Sequence, residues 1–377
     1  MKYPLRIISL HDIHLGHEVT PTENIIERLE RYVFNPSFLM GVDMILYAGD
    51  ELDHVLLNSD PRVGMINLYH WKVLELASKL NIKIRLLKGT PSHDGDQGCQ
   101  FEKIASLFPN VDFKYIDDMV IEYIKDFDMT IMYVPDEWGP RDQMYLQAKH
   151  LLEAHDLEQV DIILGHNQFG YQFAEDIRSK ISSLDEEAWT KMVKHHALFG
   201  HVHKRSTYKK IEVAGSFDRL AHGEEDPKGF LDITYRDEHD TQVTFIENKD
   251  AEVFKSIHLD KRFNPADVND IKKLHQEVAS INRESGNIRF VYHNSQLDMK
   301  SLLAYFRVQF PQYRYTTKFV DKKEKVPLVI DVTQKQEEVY IPLNAGNIKT
   351  MTLEYIEDDH LKERIGKLMD DYLSKCK

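Results

Sequence analysis

What most restricts this chain is a set of short apolar runs, each of which stops at an Asp or a His. Leu5-Arg6-Ile7-Ile8-Ser9-Leu10 closes on His11-Asp12-Ile13-His14, and Met44-Ile45-Leu46-Tyr47-Ala48 closes on Gly49-Asp50-Glu51-Leu52-Asp53. Lys83-Ile84-Arg85-Leu86-Leu87-Lys88 leads to Gly89-Thr90-Pro91-Ser92-His93-Asp94, and Val160-Asp161-Ile162-Ile163-Leu164 leads to Gly165-His166-Asn167. His196-Ala197-Leu198-Phe199 ends in Gly200-His201-Val202-His203. Short apolar runs bounded by turn residues read as buried strands. Between the first three lie segments with helical spacing, Pro21 to Phe34, with Ile25, Ile26, Leu29 and Val33 on one stripe, and Val63 to Leu80. Strand alternating with helix is the pattern of an α/β layer fold, and such sheets place ligands beyond the carboxyl ends of their strands.

The rest of the chain extends this frame. Asp112–Ile116, Met119–Ile124 and Met129–Val134 are β-like, and Arg141 to His155 is helical in spacing. Ser183-Leu184-Asp185-Glu186 fits a capping box, with Ser183 and Glu186 satisfying the first-turn amides of a helix through Trp189 and Met192. Tyr208–Ala214, Gly229–Tyr235 and Thr241–Glu247 alternate as strands do, and are expected to form a second sheet packed on the first. The character changes around Ile257–Pro265. Beyond it come a helix (Val268–Arg283), a strand (Ile288–Tyr292), a helix (Met299–Phe310) and a strand (Tyr313–Val320), then a charged link, Asp321–Lys325. The tail carries Leu361, Ile365, Leu368, Met369 and Tyr372 at helical spacing. The expected divisions are 1–257, 258–325 and 326–377.

A length of 377 residues suits two domains, or one large domain with an appendage. No apolar run approaches the length of a membrane span, and Met1 to Arg6 leads into a strand rather than a signal-peptide core, so a soluble intracellular protein is expected. Cys99 and Cys376 are too far apart in sequence to suggest a disulfide framework or a thiolate site. The net charge of -14 argues against a surface that grips nucleic acid everywhere. That charge is uneven: residues 1–250 hold 27 Lys+Arg against 43 Asp+Glu, whereas Lys255–Lys325 holds 14 against 8. A contact with a polyanion belongs to that later segment, or to metals held in the acidic part.

Side chains alternate on a strand, so Asp12 and His14 are expected on one face, and His201 and His203 likewise. Five strand ends thus contribute Asp12 and His14, Asp50, Ser92 and His93, His166, and His201 and His203. Carboxylate mixed with imidazole suits Mn, Fe or Zn. Two such ions about 3.5–4 Å apart would clamp both oxygens of an in-line phosphoryl displacement. One ion falls to Asp12, His14, Asp50 and His203, the other to Asp50, His166 and His201, with Asp50 bridging.

These residues, from Ile7 to His203, resemble the calcineurin-like metallophosphoesterases, whose motifs are Asp-x-His, Gly-Asp-x-x-Asp, Gly-Asn-His-Asp, Gly-His and Gly-His-x-His. Gly215-Ser216-Phe217-Asp218-Arg219, with Gly223-Glu224-Glu225-Asp226-Pro227-Lys228-Gly229-Phe230, is similar to the SbcD-type DNA-repair nuclease branch. The resemblance implies a two-sheet α/β/β/α sandwich with a small α/β capping, DNA-binding domain at 258–325 and a C-terminal partner-binding helix. It implies a nuclease that needs two divalent ions, chiefly Mn2+, acting as an exonuclease on double-stranded and an endonuclease on single-stranded DNA. The implied partner is an SbcC-type coiled-coil ATPase, the assembly a homodimer within a heterotetramer, and the place the cytoplasm of a bacterial or phage-infected cell. One motif departs: Gly89-Thr90-Pro91-Ser92-His93-Asp94 has two residues added, and Ser92, a weaker ligand, replaces the metal-binding Asn. His93 stands where the family's catalytic histidine would be, with Asp53 to orient it. His11, His17 and His54 adjoin the motifs without any spacing that requires them as ligands. The alternatives are a phosphatase or phosphodiesterase of the same fold acting on other substrates, and a weakly catalytic scaffold subunit.

Overall fold

Burial on both faces decides how the apolar runs assemble. In the computed structural model, which describes residues 1–136, 140–178 and 180–320, β1 (Leu5–Leu10), β2 (Met44–Tyr47), β3 (Lys83–Leu87) and β4 (Phe113–Ile116) lie side by side and parallel. Ile8, Leu10, Ile45 and Tyr47 face one side, where they meet apolar residues of α1 (Thr22–Tyr32), α2 (Pro36–Leu39), α3 (Pro61–Leu80) and α4 (Gly98–Ala105). Leu5, Ile7, Met44 and Leu46 face the other side and build the core between the two large sheets. Strands covered on both faces favour apolar residues on both, which is why these runs show little of the apolar–polar alternation of a half-exposed strand.

The second large sheet has the order β5 (Val120–Ile124), β6 (Met129–Val134), β7 (Val160–His166), β8 (Val193–Gly200), β10 (Ile211–Val213), β9 (Ser206–Tyr208). Its outer face packs on α5 (Arg141–Ala154) and α7 (Glu186–Thr190) through Met144, Ala148, Leu152 and Trp189; the short α6 (Glu175–Arg178) lies between those helices in the chain. Layer by layer the molecule is an α/β/β/α sandwich. Asp185, not Ser183, caps α7: its carboxylate accepts from the Ala188 amide at 2.7 Å, because the helix begins two residues later than the Ser-x-x-Glu pattern suggests.

The strands between residues 206 and 247 do not make a sheet of their own, contrary to the sequence expectation. β11 (Gly229–Tyr235) inserts antiparallel beside β1 and carries β12 (Thr241–Glu247) on its free edge, whereas β9 and β10 extend the second sheet beside β8. Phe230 faces the helix-side core and Leu231 and Ile233 face the inter-sheet core, so β11 is buried on both sides and must sit within a sheet that is already covered.

A third, all-parallel sheet of β13 (Phe254–His258), β14 (Gly286–Tyr292) and β15 (Tyr313–Phe319) carries α8 (Val268–Ser280) and α9 (Met299–Gln309) over one face, around a core of Ile288, Phe290, Leu274 and Phe306. This module belongs to the same compact unit as the two large sheets. It touches them where Arg283 donates to Lys249 O at 2.8 Å and Arg314 donates to Val19 O at 3.1 Å. The link at 321–325 and the tail at 326–377, with its Leu361–Tyr372 stripe, lie outside the described residues. Among the described residues no helix is long and apolar enough to cross a membrane.

Candidate metal centre

The carboxyl ends of β1, β2, β3, β7 and β8 open at one rim, and of the site residues only His166, the last residue of β7, is placed by a strand itself. β1 stops at Leu10 and β8 at Gly200, so Asp12, His14, His201 and His203 all follow the strands. Asp12 (φ 46°), His14 (φ 54°), Asp50 (φ 50°) and His201 (φ 90°) are in the left-handed region, which L residues with side chains seldom enter. Strain of that kind persists only where the surroundings over-determine it. Here the Ile13 and His14 amides donate to Asp50 O at 2.9 and 3.1 Å, the Leu15 amide to Glu51 O at 2.8 Å, and the His201 amide to Asp12 Oδ1 at 2.8 Å. Convergence therefore comes from two interlocked turns and not from the period-two alternation expected of the sequence.

Three overlapping groups result: Asp12, His14 and His203; His14, Asp50 and His93; and Asp50, His166 and His201. Within each, the candidate ligand atoms lie within 4.8 Å of one another. His201 and His203 thus fall in different groups, connected through the middle group by His14 and Asp50. His14 Nε2 faces His203 Nε2 at 3.0 Å, and Asp50 Oδ2 is 3.2 Å from His166 Nε2 and 2.8 Å from His93 Nδ1.

The outer hydrogen bonds fix which ring nitrogen points inward. His203 Nδ1 donates to Glu224 Oε1 at 2.9 Å and His166 Nδ1 donates to Ala48 O at 2.7 Å, which leaves the Nε2 lone pair of each aimed at the cluster. Metal-binding histidines are set in this way by the partner of their other nitrogen. Asp12 Oδ2 is buried with no hydrogen-bond partner. An anionic oxygen left unpaired out of water is costly, and a bound cation is the partner that suits it. These buried His and Asp clusters are able to hold a metal ion.

The electrostatics follow from crowding. Burial alone would raise the Asp50 carboxyl, but the charge of His166 and hydrogen bonds from His166 and His93 hold it well below the usual carboxylate range. Burial likewise works against protonation of His166, yet the Asp50 charge and hydrogen bond push it up to about 10, so proton and cation compete for the same Nε2. Burial and the neighbouring His166 bring His201 down to about 4. Against burial, a hydrogen bond and the charge of Asp50 raise His93 above the ordinary imidazole value.

Ser92 does not join the cluster. It is exposed and makes no side-chain hydrogen bond to the cluster, because the two added residues form a turn, with the His93 and Asp94 amides donating to Thr90 O at 2.9 and 3.1 Å, that carries Ser92 outward. Thr90 takes its place, with Oγ1 3.2 Å from Asp50 Oδ2, 3.3 Å from His166 Nε2 and 3.5 Å from His201 Nδ1. His93 stands at the mouth, about one-third exposed, its ring 5.0 Å from that of His14.

Asp53 does not orient His93, as the sequence suggested. Its carboxylate accepts from His54 Nδ1 at 3.0 Å and lies 3.4 Å from His14 Nδ1, outside hydrogen-bond alignment. It flanks the first group instead. Of the neighbouring histidines, His11 is buried between Ser9 Oγ and Phe199 O, and burial pushes it down to about 4, so it ties β1 to β8 as a neutral ring. His17 accepts from the amides of its own turn at Thr20 and Val19.

Three further acidic residues escaped the sequence reading. Asp94 is buried and accepts from the amides of Asp50 (3.1 Å), Leu52 (2.9 Å) and Gly89 (2.7 Å), which ties the end of β2 to the end of β3; burial and the Asp50 charge push its carboxyl up to about 7. Glu224 supports His203, and no spacing in the sequence announces that. Asp136 is buried just past β6, where its charge acts on both His166 and His201. The apolar run Met129–Val134 ending in an aspartate is the same signal that marked the other strand ends.

No family model and no curated protein matches the chain. Among solved structures, the chain resembles one titled as TT1561 of Thermus thermophilus, at 11% identity and a TM-score of 0.38, over 64% of this chain and 99% of that one. A second solved structure matches at 9% identity and a TM-score of 0.37, again over 64% of this chain and 99% of its own.

Proposed function

We propose that the chain is a metal-dependent phosphodiesterase that cleaves DNA. The observation that supports this most is that two His/Asp groups, His14 with His93 and His166 with His201, share one carboxylate, Asp50, and that a third group, Asp12, His14 and His203, adjoins them through His14. That donor set fits two divalent cations, with Mn2+ the expected pair, and excludes neither Fe nor Zn. When bound, the cations supply charge neutralisation at the phosphoryl group and a water of lowered pKa.

The chain's own residues supply the rest. Glu224 and Ala48 O fix the inward-facing nitrogens of His203 and His166. Asp94 and the Ile13 and His14 amides hold Asp50 in its strained conformation. His93 stands at the mouth with its proton affinity raised by Asp50, which suits it to protonate a leaving sugar oxygen. The basic 255–325 segment would bind the phosphate backbone. An SbcC-type ATPase partner, a homodimer within a heterotetramer and a cytoplasmic place belong to the same proposal, through the motif resemblance.

Purified full-length chain with Mn2+, offered single- and double-stranded DNA, tests it. Cleavage of DNA that is lost in Asp50→Asn and His201→Ala is the expected result. Intact DNA at two bound Mn2+ per chain would overturn it, and cleavage of a chromogenic diester in its place would favour small-molecule substrates. The outward turn of Ser92 favours one second reading, a scaffold with a decayed second site, which would show less than two Mn2+ per chain and no change in His93→Ala.

A further inference from the structure

Glu51 and His70 form a buried polar pair that the proposed chemistry does not use. His70 Nε2 donates to Glu51 Oε1 at 2.9 Å, and both residues are about 3% exposed. The imidazole stacks flat on Phe101, centroids 3.8 Å apart and planes 7° from parallel, while its Nδ1 has no partner. Around it lie Ile66, Tyr69, Val73 and Leu74. A carboxylate and an imidazole in such apolar surroundings cost more to bury than a well-packed apolar pair of similar volume. Stability alone does not explain why they are there.

Their place in the chain does. Glu51 directly follows Asp50, and its carbonyl accepts the Leu15 amide, so the turn that carries Asp50 is pinned to the Asp12–His14 turn by main-chain bonds and to the end of β3 by Asp94. Neither set of bonds reaches helix α3. The Glu51 side chain links the same turn to that helix at His70 in its middle, beside the contact of Tyr47 Oη at the end of β2 with Tyr69 Oη at 3.3 Å. We infer that Glu51 and His70 are positioning residues, which hold the Asp50 turn against helix α3 so that the shared carboxylate keeps the geometry needed to bind both cations. The inference rests on the reading of Asp50 as a shared ligand.

Mn2+ binding to the full chain, measured by calorimetry or by electron paramagnetic resonance, tests it beside thermal melting without metal. In the double variant Glu51→Leu/His70→Phe both polar partners are replaced by apolar groups, so melting is expected no lower than that of the unaltered chain, while Mn2+ affinity falls roughly 10–100-fold, as when an outer partner of a metal ligand is removed. Glu51→Gln keeps an acceptor for His70 and is expected to retain affinity within roughly 3-fold of the unaltered chain, since the hydrogen bond survives. Val278→Ala, in the core of the third sheet, serves as a control for general destabilisation. Affinity in the double variant no weaker than in Val278→Ala overturns the inference. Asp50→Asn separates the two readings: unchanged Mn2+ binding there removes the metal centre and the inference together, whereas lost binding in Asp50→Asn beside full binding in the double variant removes the inference alone.

Discussion

Thr90 holds both oxygens of Asp50: its amide donates to Oδ1 at 2.6 Å and its hydroxyl lies 3.2 Å from Oδ2. The same hydroxyl is within 3.5 Å of both imidazoles of the second group, a place the sequence assigned to Ser92. Thr90→Val keeps the shape and removes the oxygen. One hydrogen bond is worth about 1 kcal/mol, so the weaker of two Mn2+ sites is expected to lose affinity by about 5-fold, and Ser92→Ala to lose none. Paired Mn2+ titrations of the two variants check this, and a larger effect at Ser92 would contradict the assignment.

Gly89 leaves no room for a side chain. A Cβ there would stand 2.1 Å from the Asp50 amide nitrogen and 2.3 Å from Asp50 Oδ1, and that amide is already bonded to Asp94. Gly89→Ala must displace the shared carboxylate, so it is expected to weaken Mn2+ binding more than tenfold (~1.4 kcal/mol) and to cost about 1–3 kcal/mol of stability. Gly64, within α3, meets nothing within 4 Å. Gly64→Ala is expected to raise stability by about 0.5–1 kcal/mol without touching metal binding. Denaturant unfolding of both variants supplies the comparison.

The sequence disclosed the strands because burial on both faces leaves short, predominantly apolar runs, and it disclosed the ligand types because each run ends where the sheet opens. It did not disclose how the ligands meet. Alternation was expected to align Asp12 with His14 and His201 with His203, whereas left-handed turns do the aligning and split the second pair between two groups. Such turns carry no mark when the residue is Asp or His rather than Gly. Thr90, Asp94 and Glu224 were hidden for a related reason: their roles depend on main-chain amides and on contacts across 21 to 44 residues, which spacing does not record. Inserting β11 beside β1 is legible only in retrospect, from the burial of Phe230 and Leu231 on opposite faces.

Arg85, fully buried on β3, donates to both oxygens of Glu122 on β5, at 2.8 and 2.9 Å. Burial would raise Glu122, but Arg85, with Lys114 and Tyr133, brings its carboxyl down from 4.5 to about 2. A carboxylate depressed in the folded state adds stability that is full above its unfolded value and fades as pH falls toward its folded one. These three partners together therefore contribute about 3 kcal/mol above roughly pH 4.5, declining between there and pH 2. Glu122→Gln is expected to be less stable by about that amount at pH 7, with the gap narrowing as pH drops through this window. A gap independent of pH would mean that packing, not charge, holds the pair.

Arg314 and Lys318 alternate along β15 with Tyr313 and Tyr315, which enter the module's core, so the two cations lie on the face away from α8 and α9. Arg314 reaches Val19 O, which sets this face against the loop that follows His14. If DNA is the substrate, the face is where its backbone would run. Each phosphate contact removed lowers the slope of log affinity against log salt by about 0.9 on duplex DNA. Arg314→Ala/Lys318→Ala is therefore expected to weaken DNA binding, to flatten the salt dependence by up to about 1.8, and to lower the ratio of DNA cleavage to hydrolysis of a chromogenic diester. A small-molecule phosphodiesterase would show no change in that ratio, because a substrate confined to the rim of the metal centre gains nothing from charges on β15.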